Sequence, residues 1–353
     1  MQSYNPFSRG TNPVGVTTLD LMDGSRSRPL PTEVWYPATA EFAGRDTDDA
    51  TRDHYEVLEG FPPAAQDAVR DADRAQGCFP LVIFSHGFGG HRRQSSHLCT
   101  HLASHGYIVA SGDHTGNTIV DMARITMELM GGGEMPDPVT MITEMIEARP
   151  RDAVFVIDSM LSGDMKDAID ADRVGMTGHS FGGWTTICAT ARDQRIRAAM
   201  PLAPAGGSAP LPVNPLAESI DFNWGRDVPT LYLVADKDTL LPLPGMYELL
   251  EATPARKKMV ILDNSDHMHF CDNVEATHEM FRTMPPPGPL EEIAKQVPPA
   301  SEFVPGEHAY EYLRGLGLAH MDAHLKQHSD AAAWLDGDLE GALKERGVSV
   351  SIG

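Results

Sequence analysis

Three features of this chain predict an α/β protein with a mostly parallel central sheet of about eight strands and helices on both faces. Apolar runs of strand length recur along it, at Phe79–Ser85, Tyr107–Ser111, Ala198–Ala203, Thr230–Ala235 and Lys258–Leu262. Helical patterns separate them, as parallel neighbours require. Between one more strand, Arg173–Thr177, and the helix pattern Trp184–Arg192 stands Gly178-His179-Ser180-Phe181-Gly182-Gly183. A Gly-x-Ser-x-Gly between strand and helix describes a tight elbow that lifts a serine hydroxyl at the carboxyl edge of a sheet.

The elements follow in order. Val14–Leu21 alternates well enough for an edge strand, Asp23-Gly24-Ser25 turns it, and Leu30–Tyr36 returns before Pro37. Residues 38–76 are rich in Asp, Ala and Arg and read as an insertion with a short helix or two. Phe79–Ser85 is apolar at nearly every position, as a strand buried on both faces must be. His97–Gly106 reads as a helix closed by glycine, and Pro150 can open a helix running through Ser159. Tyr310–Leu343 is helical in pattern, and Pro285-Pro286-Pro287 is a short low-complexity tract. One domain over residues 1–353 accommodates these elements, with residues 115–147 as a cap inserted into it.

Charge narrows the partners. Against 50 acidic residues stand 28 basic ones, a net charge of −22, which disfavours nucleic acid and anionic membrane surfaces. No apolar run is long enough to span a bilayer. Met1-Gln2-Ser3-Tyr4-Asn5-Pro6 lacks the basic and then apolar stretches of a secretory leader. Cys78, Cys99, Cys188 and Cys271 are widely separated, without metal or redox spacing, and are expected as reduced thiols of a cytoplasmic protein. A secreted form with its leader removed would read the same way. Homo-oligomerisation is compatible with the sequence.

A serine hydroxyl needs a base, a group that orients the base, and donors for the oxyanion. In a doubly wound sheet these come from other strand ends. Asp236-Lys237-Asp238 follows one later strand and Asp263-Asn264-Ser265-Asp266-His267-Met268-His269 the next. The order serine, acid, histidine is the one such elbows use. Asp236 is nearer the strand end, whereas Asp238 lies further into the loop, where it can turn toward a histidine. His267 is preferred as base over His269, which adjoins Phe270. The oxyanion donors are expected to be the backbone N–H of Phe181 and that of Phe88, in the loop His86-Gly87-Phe88-Gly89-Gly90.

Other signals count for less. The phosphate-binding Gly-x-x-x-x-Gly-Lys pattern is absent. His97, His101 and His105 share a helical face, but position 98, where a hydrolytic zinc site wants glutamate, is Leu98. Asp46-Thr47-Asp48-Asp49 lacks the glycine and distal glutamate of a calcium loop. No metal or cofactor is expected. Asp113-His114 ends a strand near the active edge and is read as shaping the pocket.

Val14-Gly15-Val16 through Val34-Trp35-Tyr36-Pro37, Ser85 to Gly90, Asp113-His114-Thr115-Gly116-Asn117 and Gly178 to Gly183 resemble the platelet-activating-factor acetylhydrolase type II family. That family is related to dienelactone hydrolases and cutinase-like polyester hydrolases of the α/β-hydrolase superfamily. Asp238-Thr239-Leu240-Leu241-Pro242 is similar to the acid loop of the cutinase-like members, which favours Asp238 as the acid. The resemblance implies an α/β-hydrolase fold and cleavage of carboxylic esters through a serine acyl-enzyme, with no cofactor. Two departures stand out. The segment Ala203-Pro204-Ala205-Gly206-Gly207 lacks the aromatic residue of polyester hydrolases, and the nucleophile is not the cysteine of dienelactone hydrolases.

Substrate choice is expected in the insertions. Residues 121–145 hold six methionines, Met122, Met127, Met130, Met135, Met141 and Met145, around Gly131-Gly132-Gly133. Methionine suits a surface that adapts to apolar groups, so the segment reads as a mobile cap, or equally as two helices with ordinary core methionines. Met127, Met130 and Met145, with His179 beside the serine, are the candidate substrate contacts, and the loop Pro204–Trp224 is a second wall. The chemistry expected is ester hydrolysis on a small-molecule substrate. Amide hydrolysis would begin with the same attack, and an inactive binding protein of this fold is the reading from another class.

Overall fold

The computed structural model describes residues 4–60, 63–134, 136–210, 214–285 and 289–353. Met135, Pro286, Pro287 and residues 211–213 of the second wall lie outside the described residues. The first strands are the hairpin β1 (Val14–Asp23) and β2 (Arg28–Pro37). The insertion after them forms a separate ribbon of β3 (Asp53–Tyr55) and β4 (Ala64–Gln66), then β5 (Val69–Arg70) beside β1. The central strands are β6 (Phe79–Ser85), β7 (Ile108–Gly112), β8 (Ile169–His179), β9 (Ile196–Leu202), β10 (Thr230–Ala235), β11 (Lys257–Leu262) and β12 (Val350–Ile352).

Ten strands form one sheet in the order β12-β11-β10-β9-β8-β6-β7-β2-β1-β5. From β7 to β11 the neighbours are parallel, while β2 and β12 pair antiparallel with β7 and β11. The sheet exceeds the expected width because β5 and β12, of two and three residues, are too short to show alternation. For the same reason β1 is not the edge; β5 covers it.

Helices α1 (Ser96–Ser104), α2 (Ile119–Met130), α3 (Pro138–Ser162), α4 (Phe181–Arg192), α5 (Pro215–Glu218) and α6 (Leu243–Ala252) come before β11. After it come α7 (Val274–Thr283), α8 (Pro289–Ala294), α9 (Gly306–Leu325), α10 (Ser329–Leu335) and α11 (Leu339–Lys344). Side chains of the central strands divide between two cores. Val82 and Phe84 join α1, α9 and α11 on one face, whereas Leu81 and Ile83 join α3, α4 and α6 on the other. That alternation turns the unbroken apolar run of β6 into a two-sided strand. Among the described residues no helix is long and apolar enough to cross a membrane.

Pro150 does not open a helix. It lies inside α3, which starts at Pro138 with the Asp137 side chain accepting from Thr140 N–H. The missing donor and ring clash of an internal proline disfavour helix by about 3 kcal/mol. Burial of Met145, Ala153, Val156, Ile157 and Met160 along α3 outweighs it.

Candidate active site

Ser180 takes φ 60° and ψ −117°, a conformation that costs a residue with a Cβ on the order of 1–3 kcal/mol. The backbone holds it there. Its N–H donates to the Leu202 carbonyl at 2.8 Å, and its own carbonyl accepts from Trp184 and Ala205 N–H at 3.1 and 3.0 Å. A Cβ on Gly182 would stand 1.8 Å from the Ser85 carbonyl oxygen, and one on Gly178 2.5 Å from that of Gly182. Both glycines are required for close approach.

The ends of β10 and β11 meet beside this elbow. His267 Nδ1 lies 2.6 Å from Asp238 Oδ2, and the other carboxylate oxygen accepts from Leu240 and Leu241 N–H at 2.9 and 2.8 Å. Both side chains are buried. Asp236 turns elsewhere, accepting from Ser265 N–H at 3.0 Å. His269 is also buried, its Nδ1 2.7 Å from Asp266 and its Nε2 donating to the Val304 carbonyl. Among the described residues neither Ser180 Oγ nor His267 Nε2 makes a hydrogen bond. Contact between the elbow and the histidine loop runs through His179, whose ring lies 4.5 Å from that of His267, centroid to centroid.

The loop after β6 is clamped from within. His114 N–H donates to His86 Nε2 at 3.0 Å, so His86 carries its proton on Nδ1 and gives it to the Gly87 carbonyl at 2.7 Å. Gly90 N–H donates to the same carbonyl at 3.2 Å. In a trans peptide the C=O and the following N–H point in opposite directions. Fixing the Gly87 carbonyl inward therefore turns the Phe88 N–H outward. Among the described residues neither it nor the Phe181 N–H, at the start of α4, has an acceptor. Ser180 Cβ lies 3.4 Å from where a Gly87 Cβ would be, so elbow and loop are adjacent.

Beneath them lies a polar layer in which sequence reasoning gave a role only to His114. Ser85 Oγ contacts His114 Nε2 at 2.8 Å, and His114 Nδ1 contacts Asp152 Oδ2 at 3.0 Å. This second Ser–His–Asp string is sealed, with all three residues buried. Arg26 and Arg28 pair with Asp152, and against the cost of burial the contacts from His114 and then Arg28 hold its carboxyl down at about 2. Arg149, fully buried, donates to the His86 carbonyl, Asn117 Oδ1 and Thr185 Oγ1 and lies 4.5 Å over the Phe181 ring. Its only signal in the sequence is its spacing from Asp152, one turn along α3.

This layer makes the fold sensitive to acid. Burial, and then Arg149, push the His114 pKa from 6.5 down to about 4. Burial first of all also lowers His86 and His179. An unfolded chain protonates these rings near pH 6.5, whereas the folded one resists, so the unfolded state binds more protons and stability falls as pH falls through this window. His114 alone should remove on the order of 3 kcal/mol between pH 6.5 and pH 4. His278, raised by Asp266, acts in the opposite sense. Urea unfolding at pH 7 and pH 4.5 tests this; equal stabilities at both would sink it.

The expected substrate contacts are distributed differently. His179 is only 3% exposed and Met145 6%, both turned into the protein, while Met127 and Met130 are 66% and 84% exposed. Met122 instead faces the loop after β6, its Cγ 3.0 Å from where a Cβ on Gly89 would be. Helical spacing alone does not reveal which methionine of α2 points inward, because α2 buries no residue. His97, His101 and His105 turn to separate partners, Asp272, the Pro6 carbonyl and the Ser8 carbonyl.

Strand order, strained elbow and glycine loop together define an α/β-hydrolase. The chain belongs to the family of platelet-activating factor acetylhydrolase, isoform II, whose model matches residues 30–128 and 132–277, more than half of it. It is 29% identical over 155 residues to the platelet-activating factor acetylhydrolase of Bos taurus, covering 35% of this chain and 34% of that protein. The match thus spans about a third of this curated relative. It is 26% identical over 279 residues to cutinase est1 of Thermobifida alba, covering 77% of this chain and 73% of the cutinase. A solved ferulic acid esterase from Streptomyces cinnamoneus superposes with a TM-score of 0.66 at 25% identity, covering 98% of both chains.

Proposed function

We propose that this chain is a carboxylic ester hydrolase working through Ser180, His267 and Asp238. The observation that supports it most is the 2.6 Å contact of His267 with Asp238, beside a serine held at φ 60°. The relatives' names, acetylhydrolase, cutinase and ferulic acid esterase, are all those of ester hydrolases. Ser180 Oγ attacks the ester carbonyl carbon while its proton passes to His267 Nε2. Asp238 fixes the Nδ1–H tautomer and stabilises the imidazolium. The Phe88 and Phe181 N–H groups take the negative charge that develops on the carbonyl oxygen. The imidazolium proton then leaves with the alcohol, and water, deprotonated by His267, releases the acid and restores Ser180.

Residues 115–147 form a cap in this reading, with α2 resting on the oxyanion loop through Met122. A fluorophosphonate should label Ser180, and a p-nitrophenyl ester should turn over far faster than the matching anilide. A folded protein that takes no label would sink the proposal, and faster turnover of the anilide would make it an amidase. Asp238→Asn should lower kcat by about 10⁴-fold, as loss of the orienting acid does elsewhere, whereas Asp236→Asn should stay near the parent. Steady-state kinetics of the two variants separate the acids.

A further inference from the structure

We infer that Gln94 and His179 form a buried positioning relay that sets the oxyanion loop against the loop carrying His267. The inference rests on the reading of Ser180 and His267 given above. Gly87 N–H donates to Gln94 Oε1 at 2.8 Å, Gln94 Nε2 meets His179 Nδ1 at 2.8 Å, and His179 Nε2 meets the His267 carbonyl at 3.0 Å. Three separate pieces of chain, after β6, at the end of β8 and after β11, are thereby joined in one string.

Only one assignment of protons satisfies it. The His267 carbonyl can only accept, so His179 carries its proton on Nε2 and leaves Nδ1 bare. Bare Nδ1 takes a proton from the Gln94 amide nitrogen, which turns Oε1 toward the Gly87 N–H. Reversing any link sets donor against donor or acceptor against acceptor. Burial leaves no water to repair such a clash, for Gln94 is 8% exposed, His179 3% and His267 5%. The groups facing His179 are the His267 ring, the Cys271 thiol at 3.8 Å from Nδ1, the stacked Phe270 ring and, beyond them, Asp266.

The relay also explains a glycine. A Cβ on Gly90 would stand 2.2 Å from Gln94 Oε1, so Gly90 makes room for the amide and not for a substrate. Gln94 holds the N–H of the peptide unit that leads into Gly87, and His86 and Gly90 hold the carbonyl of the next unit, the one that ends in the Phe88 N–H. At the far end of the string the held group is the backbone of His267 itself. Small misplacements of either partner are costly, because about 1 Å can remove 100-fold in rate.

Two substitutions test the relay in the full chain. Gln94→Met keeps the volume and removes both hydrogen bonds. It should lower kcat about tenfold or more with KM nearly unchanged, and slow fluorophosphonate labelling of Ser180 without abolishing it. Gln94→Glu keeps the acceptor for Gly87 and draws a second proton onto His179. That cation beside His267 disfavours its protonation, so the acidic limb of kcat/KM should move about one unit to lower pH. A residue with only a structural role would leave that limb in place. Gln94→Met turning over within twofold of the parent, or a Gln94→Glu profile superimposable on the parent's, overturns the inference. If Gln94→Met does not fold, Gln94→Glu decides. Failure of the parent protein to label at Ser180 would overturn the active-site reading and the relay together.

Discussion

Ser180→Ala is expected to remove ester turnover, lowering kcat by about four to six orders of magnitude, with the fold intact. The hydroxyl has no hydrogen bond among the described residues, so alanine leaves no partner stranded, and stability should change by less than about 0.5 kcal/mol. Alanine does not relieve the backbone, however, because it keeps a Cβ at φ 60° and ψ −117°. Ser180→Gly does relieve it and should be the more stable of the two by about 1 kcal/mol. Thermal melts of both variants, beside their kinetics, measure the strain stored at Ser180. Equal melting temperatures for the two would mean that the elbow is not strained, and turnover by either would remove Ser180 from the mechanism.

Gly182→Ala should be the most damaging single methyl group at any described glycine. Its Cβ would lie 1.8 Å from the Ser85 carbonyl oxygen, 2.5 Å from the Ser85 carbonyl carbon and 2.8 Å from the His86 carbonyl oxygen. All three are backbone atoms at the end of a central strand, and no rotamer change moves them. Relief requires that α4 or the loop after β6 shift, so a loss above about 4 kcal/mol, or failure to fold, is expected. Gly24→Ala is the control, since a Cβ there meets nothing within 4 Å. Soluble yield and urea midpoints of the pair give the comparison; a Gly182→Ala protein as stable as the control would refute the close approach.

Much of this architecture was legible in the chain because the strong signals are local. An unbroken apolar run such as Phe79–Ser85 has few uses other than a strand covered twice, and the elbow is a contiguous motif. Which aspartate meets His267 was not legible from spacing, because Asp236 and Asp238 differ only in how their loop turns after β10. Two backbone donors, from Leu240 and Leu241, fix that turn and bring Asp238 to His267. Gln94 was hidden for a different reason. Arg92-Arg93-Gln94-Ser95-Ser96 has the composition of a solvated loop, and only tertiary contacts put its glutamine inside. Pro150 misled because helix propensity is a weak prior that burial along α3 overrides.

The histidine loop is fastened at both ends. Asp272 accepts from Ser96 and His97 N–H at the start of α1, and Asp266 holds His269 and pairs with His278 on α7 at 2.5 Å. A loop so moored has little freedom to accommodate bulkier guests by itself. On the function proposed above, adaptation to a new acyl or alcohol group, by evolution or by an engineer, is thus channelled to the side of α2. There α2 meets the loop after β6 through Met122 and the Ile119 N–H, and its exposed face, with Met127 and Met130, is free to vary.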